Sequence, residues 1–212
     1  MYTFRTLNLN DIVAMDYCLR LLTQYVDRNM FIPPEKTYIE KILTGYGKSA
    51  GVFFENTLIG FASIVYPRSG SNNLGRMLGL SVEDIYDAIQ LEHLFILNQH
   101  QGLGLSSKLL NYLLSIVDFK YDQIFSTINP LNVKSLSLAF KFGFAIVSVI
   151  NFRGYLRYLM RKKNNCINDI NFASVSKSVE DIESIAAIIK KGFFGCSFNE
   201  TKNKIFFKRM IW

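Results

Sequence analysis

The segment Leu91-Glu92-His93-Leu94-Phe95-Ile96-Leu97 leads, three residues on, into Gln101-Gly102-Leu103-Gly104-Leu105-Ser106-Ser107-Lys108. The first segment reads as a strand that carries a carboxylate and an imidazole. The second reads as a glycine-rich turn opening a helix, in which Leu109, Leu113 and Ile116 share one face. A strand feeding such a turn into a helix is an anion site by construction. The first N–H groups of a helix have no intrahelical partner, and the helix dipole favours negative charge there. Glycine matters because a side chain would hold an anion away from the backbone. Ser106 and Ser107 add hydroxyl donors in the first turn.

Several readings compete for this loop. A dinucleotide fingerprint wants GxGxxG, but Ser107 stands where the third glycine belongs, and no βαβ start precedes it. A phosphate-binding Walker loop wants a Gly-Lys pair, which the loop lacks. A plain strand-to-helix turn needs no ligand at all. A further pattern is Gln101-x-x-Gly104-x-Ser106, with apolar Leu105 between its last two members.

A second motif stands downstream. Thr127-Ile128-Asn129-Pro130-Leu131-Asn132-Val133-Lys134-Ser135 precedes Ala139-Phe140-Lys141-Phe142-Gly143-Phe144, with Gly143 eleven residues after Asn132. Asn132 is placed to cap a helix that Gly143 ends. The two motifs together resemble the GNAT superfamily of N-acyltransferases, whose CoA signature is [Arg/Gln]-x-x-Gly-x-[Gly/Ala]. Ser106 departs from its last position. The specific resemblance covers Leu91 to Phe144, and the order of elements extends it over residues 1–163. Asn73 to Leu80, Arg153 to Tyr158 and Lys191 to Gly195 also look similar to a bacterial GNAT group of undefined substrate.

The resemblance implies an α/β (α+β) fold: a mixed, mostly antiparallel central sheet with helices on both faces. It implies transfer of an acetyl or other acyl group from acyl-CoA to a primary amine on a small molecule or peptide. Acetyl-CoA, or another acyl-CoA, is then the co-substrate, and no metal is required. The cofactor set would be the backbone of Phe95, Ile96 and Leu97, the loop residues Gln101, Gly102, Leu103, Gly104, Leu105, Ser106 and Ser107, and Asn132 with Ser135. The family's usual tyrosine acid falls seven residues after the motif asparagine, where this chain has Ala139. Tyr66 and Tyr86 are conceivable replacements. That departure keeps open a non-catalytic acyl-CoA-binding module.

Attack of an amine on a thioester needs a proton acceptor, because an alkyl amine is mostly protonated at neutral pH. Glu92 is the first candidate base and His93 the second. Strict alternation along a strand puts Glu92, Leu94 and Ile96 on one face and His93, Phe95 and Leu97 on the other. A structural glutamate at a strand start is the competing role for Glu92.

The elements that must position these groups follow from patterning. Tyr2 to Leu7 reads as a strand, and Asn10 as the cap of a helix whose face is Ile12, Met15, Leu19 and Leu22. Glu35 to Leu43 reads as a second helix. Apolar runs 51–54 and 58–65 flank Glu55-Asn56-Thr57 as a hairpin, and 67–79 reads as a loop. Strands are expected at 123–128, 144–151 and 155–160, with Arg161-Lys162-Lys163 as a solvated turn. Residues 164–212 form a helix–strand extension, with Ser178 capping the helix and Lys204 to Ile211 as the strand. Its amphipathic face is expected to cover residues 1–163 or a second copy of the chain, the latter making a homodimer.

The 212 residues suit one domain with such an extension. The net charge of +7 suits a polyanionic ligand. Its lysines and arginines are dispersed without a nucleic-acid motif, so no nucleic-acid partner is expected. Three scattered cysteines and two histidines predict neither a disulfide framework nor a metal centre. No apolar run reaches membrane-spanning length and no signal-peptide layout opens the chain, so a cytoplasmic protein is expected.

Overall fold

The computed structural model describes residues 1–68, 70–117, 121–163 and 175–209. Cys166 and Ile211 lie outside the described residues. The chain forms two compact units, residues 1–73 with 82–121, and residues 74–81 with 122–212.

The first unit holds strands β1 (Tyr2–Thr6), β2 (Gly47–Phe54), β3 (Thr57–Val65) and β4 (Ile89–Ile96), paired in that order and antiparallel throughout. The β2–β3 hairpin closes on Glu55 and Asn56, both at positive φ, the backbone that a tight two-residue hairpin turn requires. β2 and β3 are buried along almost their whole length rather than at alternate residues. A strand buried on both sides needs cover on both faces. Helix α1 (Ile12–Thr23) packs on β3, and helix α4 (Leu105–Ser115) packs on β1, β2 and β3. The α1 side forms a core of Met15, Cys18, Leu19 and Leu22 with Ile39 of helix α2 (Lys36–Lys41) and Phe61, Phe95 and Leu97. A four-residue helix, α3 (Val82–Ile85), precedes β4.

One cap differs from the sequence expectation. Asn8, not Asn10, starts the first helical segment. Its side-chain oxygen accepts from the Asn10 N–H at 2.9 Å, while the Asn8 N–H donates to Asp11 at 3.0 Å. That reciprocal arrangement needs an acid three residues on, which Asn8 has and Asn10 lacks. The Arg5 guanidinium clamps the same carboxylate at 2.6 and 2.8 Å and holds Asp11 below the usual carboxylate range.

The second unit holds β5 (Gln123–Ile128), α5 (Val133–Lys141), β6 (Ala145–Phe152), β7 (Tyr155–Lys163), β8 (Val175–Ser178), α6 (Ile182–Lys190), β9 (Phe193–Asn199) and β10 (Lys204–Arg209). Its strand order is β5-β7-β6-β9-β10-β8, again antiparallel. The tail is therefore more than a helix and one strand: β9 joins β6 at Ile146–Gly195, and β8 pairs with β10. Val175 to Ser178 being a strand moves the α6 cap to Asp181, whose carboxylate accepts from the Ser184 N–H. Ser178 does not fill that role. Arg161, Lys162 and Lys163 are likewise not a turn but the end of β7, opposite Phe125, Ile124 and Gln123. Arg161 stays there because its Nε donates to the Gln123 side chain at 2.7 Å.

Arg157 on β7 is buried to 3 % exposure. Its Nη1 donates to the Leu156 carbonyl at 2.8 Å, and no described residue accepts from Nη2. Burial pushes its guanidinium below the ordinary value. A buried charge without a countercharge destabilises a fold. Arg157→Met is thus expected to raise stability by about 1 kcal/mol, read as a higher Tm. A lower Tm would show that the bond to Leu156 and the placement over the Tyr155 ring outweigh the cost of burying the charge.

Candidate active site

β4 does not run as a regular strand beside β3. Phe61 opposes Phe95, but Ser63 opposes Glu92, so β3 advances two residues while β4 advances three. The extra residue makes a β-bulge, and within it His93 sits at φ 57. Positive φ is uncommon for a residue with a side chain, and such backbone concentrates at functional sites. The bulge breaks the alternation assumed from sequence. Glu92 shares its face with Phe95, not with Ile96, because Ser63 and Phe61 are same-face neighbours on β3. His93 is not turned away from Glu92 either. Its Nε2 lies 3.6 Å from Glu92 Oε2.

The Glu92 carboxylate meets groups from another element. Tyr38 on α2 donates its hydroxyl to both carboxylate oxygens, at 3.3 Å to Oε1 and 3.1 Å to Oε2. Gln90, two residues back on the same strand, donates to Oε1 at 3.4 Å. The Tyr38 ring stands edge-on to Tyr46 and to His93, each with centroids 6.1 Å apart, and Phe31 stands edge-on to His93 at 6.4 Å. Burial first, then the Glu92 charge, pushes the Tyr46 phenol above its ordinary value. The Glu92 side chain remains 24 % exposed, so solvent reaches a carboxylate ringed by aromatic edges. Chemically this is a proton acceptor held in place, with an imidazole beside it. Reading along the chain identified Glu92 and His93 but missed Tyr38, Tyr46 and Gln90. Gln90 carried a signal, being two residues from Glu92 on one strand. Tyr38, 54 residues away, carried none.

Below β4 the chain makes a turn at Asn98–His100 and enters the glycine-rich loop. Gly102 and Gly104 have φ 82 and 69, and a Cβ built on either meets nothing within 4 Å. Gly104 is the N-cap of α4, and among the described residues no side chain caps that end. The loop thus presents a bare helix N-terminus with open space over its glycines. Leu105 is buried and anchors the helix start, while Ser106 and Ser107 are half-buried beside it and Leu103 is exposed. Gln101 turns back: its Nε2 donates to the Ile96 carbonyl and to Asn98 Oδ1, each at 2.9 Å. It ties the loop to the end of β4. His100 docks on Tyr2, its Nδ1 3.1 Å from the hydroxyl.

Phe95, Ile96 and Leu97 bury their side chains. Gly60 lets β3 close on them, since a Cβ there would lie 2.4 Å from the Phe95 carbonyl oxygen. The Leu97 N–H donates to the Ile59 carbonyl and its carbonyl accepts from the His100 N–H, both at 2.9 Å. The Ile96 carbonyl accepts from Gln101 and both main-chain groups of Leu97 are paired within the protein.

In the second unit, Asn132 caps α5, its side-chain oxygen accepting from the Ser135 N–H at 3.1 Å. Gly143 ends that helix at φ 81, as its spacing indicated. Ala139 is buried in α5 and offers no proton. Tyr86 is half exposed beneath the Arg68 guanidinium. Among the described residues no cluster of three potential metal ligands occurs.

No protein-family model and no curated protein matches this chain. Solved structures do. PaiA N-acetyltransferase from Thermoplasma acidophilum, in complex with coenzyme A, is 16 % identical over 77 % of this chain and 99 % of its own, with a TM-score of 0.56. An acetyltransferase of the GNAT family from Streptococcus pneumoniae is 15 % identical over 77 % and 100 %, with a TM-score of 0.59. The ribosomal-protein-S18-alanine N-acetyltransferase of Escherichia coli is 12 % identical over 82 % and 100 %, with a TM-score of 0.54. The chain has the fold of the GNAT N-acetyltransferases, a mixed α/β fold with a mostly antiparallel sheet.

Proposed function

We propose that this protein is an acyl-CoA-dependent N-acyltransferase that transfers an acetyl group to a primary amine. The observation that carries the reading is the layout of one strand and its exit. A partly exposed carboxylate stands at the bulge of β4, and an uncapped helix N-terminus with open glycines stands at its end. The open space at Gly102 and Gly104 fits a pyrophosphate approaching the backbone, because no Cβ is there to exclude it. Leu105, Ser106 and Ser107 would donate their N–H groups, with Ser106 and Ser107 adding hydroxyls. Phe95, Ile96 and Leu97 are the backbone candidates for holding the pantetheine arm. The resemblance adds Asn132 and Ser135, whose observed hydrogen bond is the α5 cap.

The bound acyl thioester supplies an activated carbonyl. As the neutral amine attacks, the new C–N bond forms, the C–S bond breaks and coenzyme A leaves as its thiolate. Glu92 takes the proton released from the amine nitrogen, and Tyr38 and Gln90 hold the carboxylate for that transfer. Gln101 keeps the loop in register with β4. This is the reading of a cytoplasmic enzyme acting on a small-molecule or peptide amine. Among the described residues, no helix is long and apolar enough to cross a membrane. The second reading, an acyl-CoA-binding module without turnover, rests on Ala139 at the place of the family's tyrosine acid.

Calorimetric titration with coenzyme A tests the shared premise. Binding with a Kd in the micromolar range is expected. Absence of binding at millimolar ligand sinks both readings.

A further inference from the structure

We propose that Tyr38 is a positioning residue of the Glu92 base, a role that rests on the acyltransferase reading above. Tyr38, Gln90 and His93 are among the groups that approach the carboxylate. His93 Nε2 at 3.6 Å lies beyond hydrogen-bond length, and Gln90 Nε2 at 3.4 Å is at its limit. The Tyr38 hydroxyl, at 3.1 and 3.3 Å, is nearer than either of these, and it reaches both oxygens. A donor shared between two oxygens fixes the plane of the carboxylate as well as its place.

The donor itself is held. Ile39, next to Tyr38 on α2, is 1 % exposed in the core beneath α1, which anchors the helix. The Tyr38 ring is wedged between the perpendicular rings of Tyr46, at 67°, and His93, at 80°. Lys41 Nζ lies 4.2 Å over the other partner, Tyr46. A functional group is most accurate when a second, packed residue orients it from a rigid element. The β4 bulge brings Glu92 to the face that α2 covers, and α2 brings the hydroxyl. Neither element alone makes the pair. A donor to the charged carboxylate also favours the form that accepts a proton.

Tyr38, Tyr46 and His93 are among the titratable groups facing Glu92, with Lys41 behind Tyr46. Tyr38→Phe removes the hydroxyl and keeps the packed ring, so the fold survives. Its kcat is expected to fall about tenfold, with KM for acetyl-CoA and Kd for coenzyme A unchanged. The acid limb of its kcat/KM profile is expected to move to higher pH, because the bond favouring the charged form is gone. In a Glu92→Gln background, Tyr38→Phe is expected to cost nothing further. An unchanged kcat in Tyr38→Phe overturns the assignment. So does an equal additional loss in the Glu92→Gln background, which marks mere packing. If the wild type turns over no amine, the acyltransferase reading fails by itself. The Tyr38–Glu92 bond is then read directly, by carboxyl NMR titration: a higher midpoint for Glu92 in Tyr38→Phe supports it and an unmoved one refutes it.

Discussion

Glu92→Gln is expected to lower kcat by about 10²- to 10⁴-fold, the usual worth of a general base, while coenzyme A binds as before. The exchange keeps size and shape. A glutamine oxygen still accepts from Tyr38, and a side chain already 24 % exposed has little packing to lose. What disappears is the capacity to hold the amine's proton. The glycine-rich loop begins after the strand has ended, and the β4 residues proposed to hold the pantetheine arm act through their backbone, so exchanging the Glu92 side chain should leave coenzyme A binding unchanged. Steady-state kinetics with saturating acetyl-CoA, set against calorimetry with coenzyme A, separates the two quantities. Turnover equal to wild type would make the carboxylate structural and pass the base to His93. Loss of coenzyme A affinity would mean that the bulge itself had shifted. A wild-type protein that binds coenzyme A yet acylates nothing in a broad amine panel would favour the binding module.

Gly104→Ala is expected to weaken coenzyme A binding at least about tenfold, for a structural cost of about 1 to 2 kcal/mol. The protein leaves room for the added methyl, since nothing lies within 4 Å of a Cβ there. Its internal penalty is only the left-handed backbone at φ 69. The methyl would occupy the space over the helix N-terminus where phosphate oxygens must approach the N–H groups. Gly192→Ala is the matched control. It carries the same kind of strain at φ 84, also with nothing within 4 Å, at the end of α6. Comparable losses of Tm in the two variants, with affinity lost only in Gly104→Ala, would support the cradle. Equal affinity loss in both, or in neither, would argue against it.

Much of this protein was legible along the chain because the signals were local. The strand–glycine–helix run from Leu91 to Lys108, the cap at Asn132 with its stop at Gly143, and the hairpin turn at Glu55-Asn56 each depend on residues within a turn or two. Their physics is backbone conformation and unpaired helix ends, which neighbouring residues determine by themselves. The misreadings share another cause. Arg161-Lys162-Lys163 looked solvated by composition, yet β5 pairs with it. Ser178 looked like a helix cap until β10 drew Val175–Ser178 into a strand.

The site divides along the same line. That Glu92 and His93 stand beside a glycine-rich loop is written in the sequence. Which way they face is not. A bulge inserts one residue, and one residue reverses the alternation that a strand's period of two dictates. Here the bulged residue is a histidine, so no glycine marks the place, and only the register against β3 reveals it. Once the bulge turns Glu92 toward α2, it meets Tyr38, 54 residues earlier. The residue types needed for chemistry were therefore set by the sequence. Their assembly into an oriented carboxylate was decided by tertiary structure, because it depends on cross-strand register and helix docking that no local run of residues specifies.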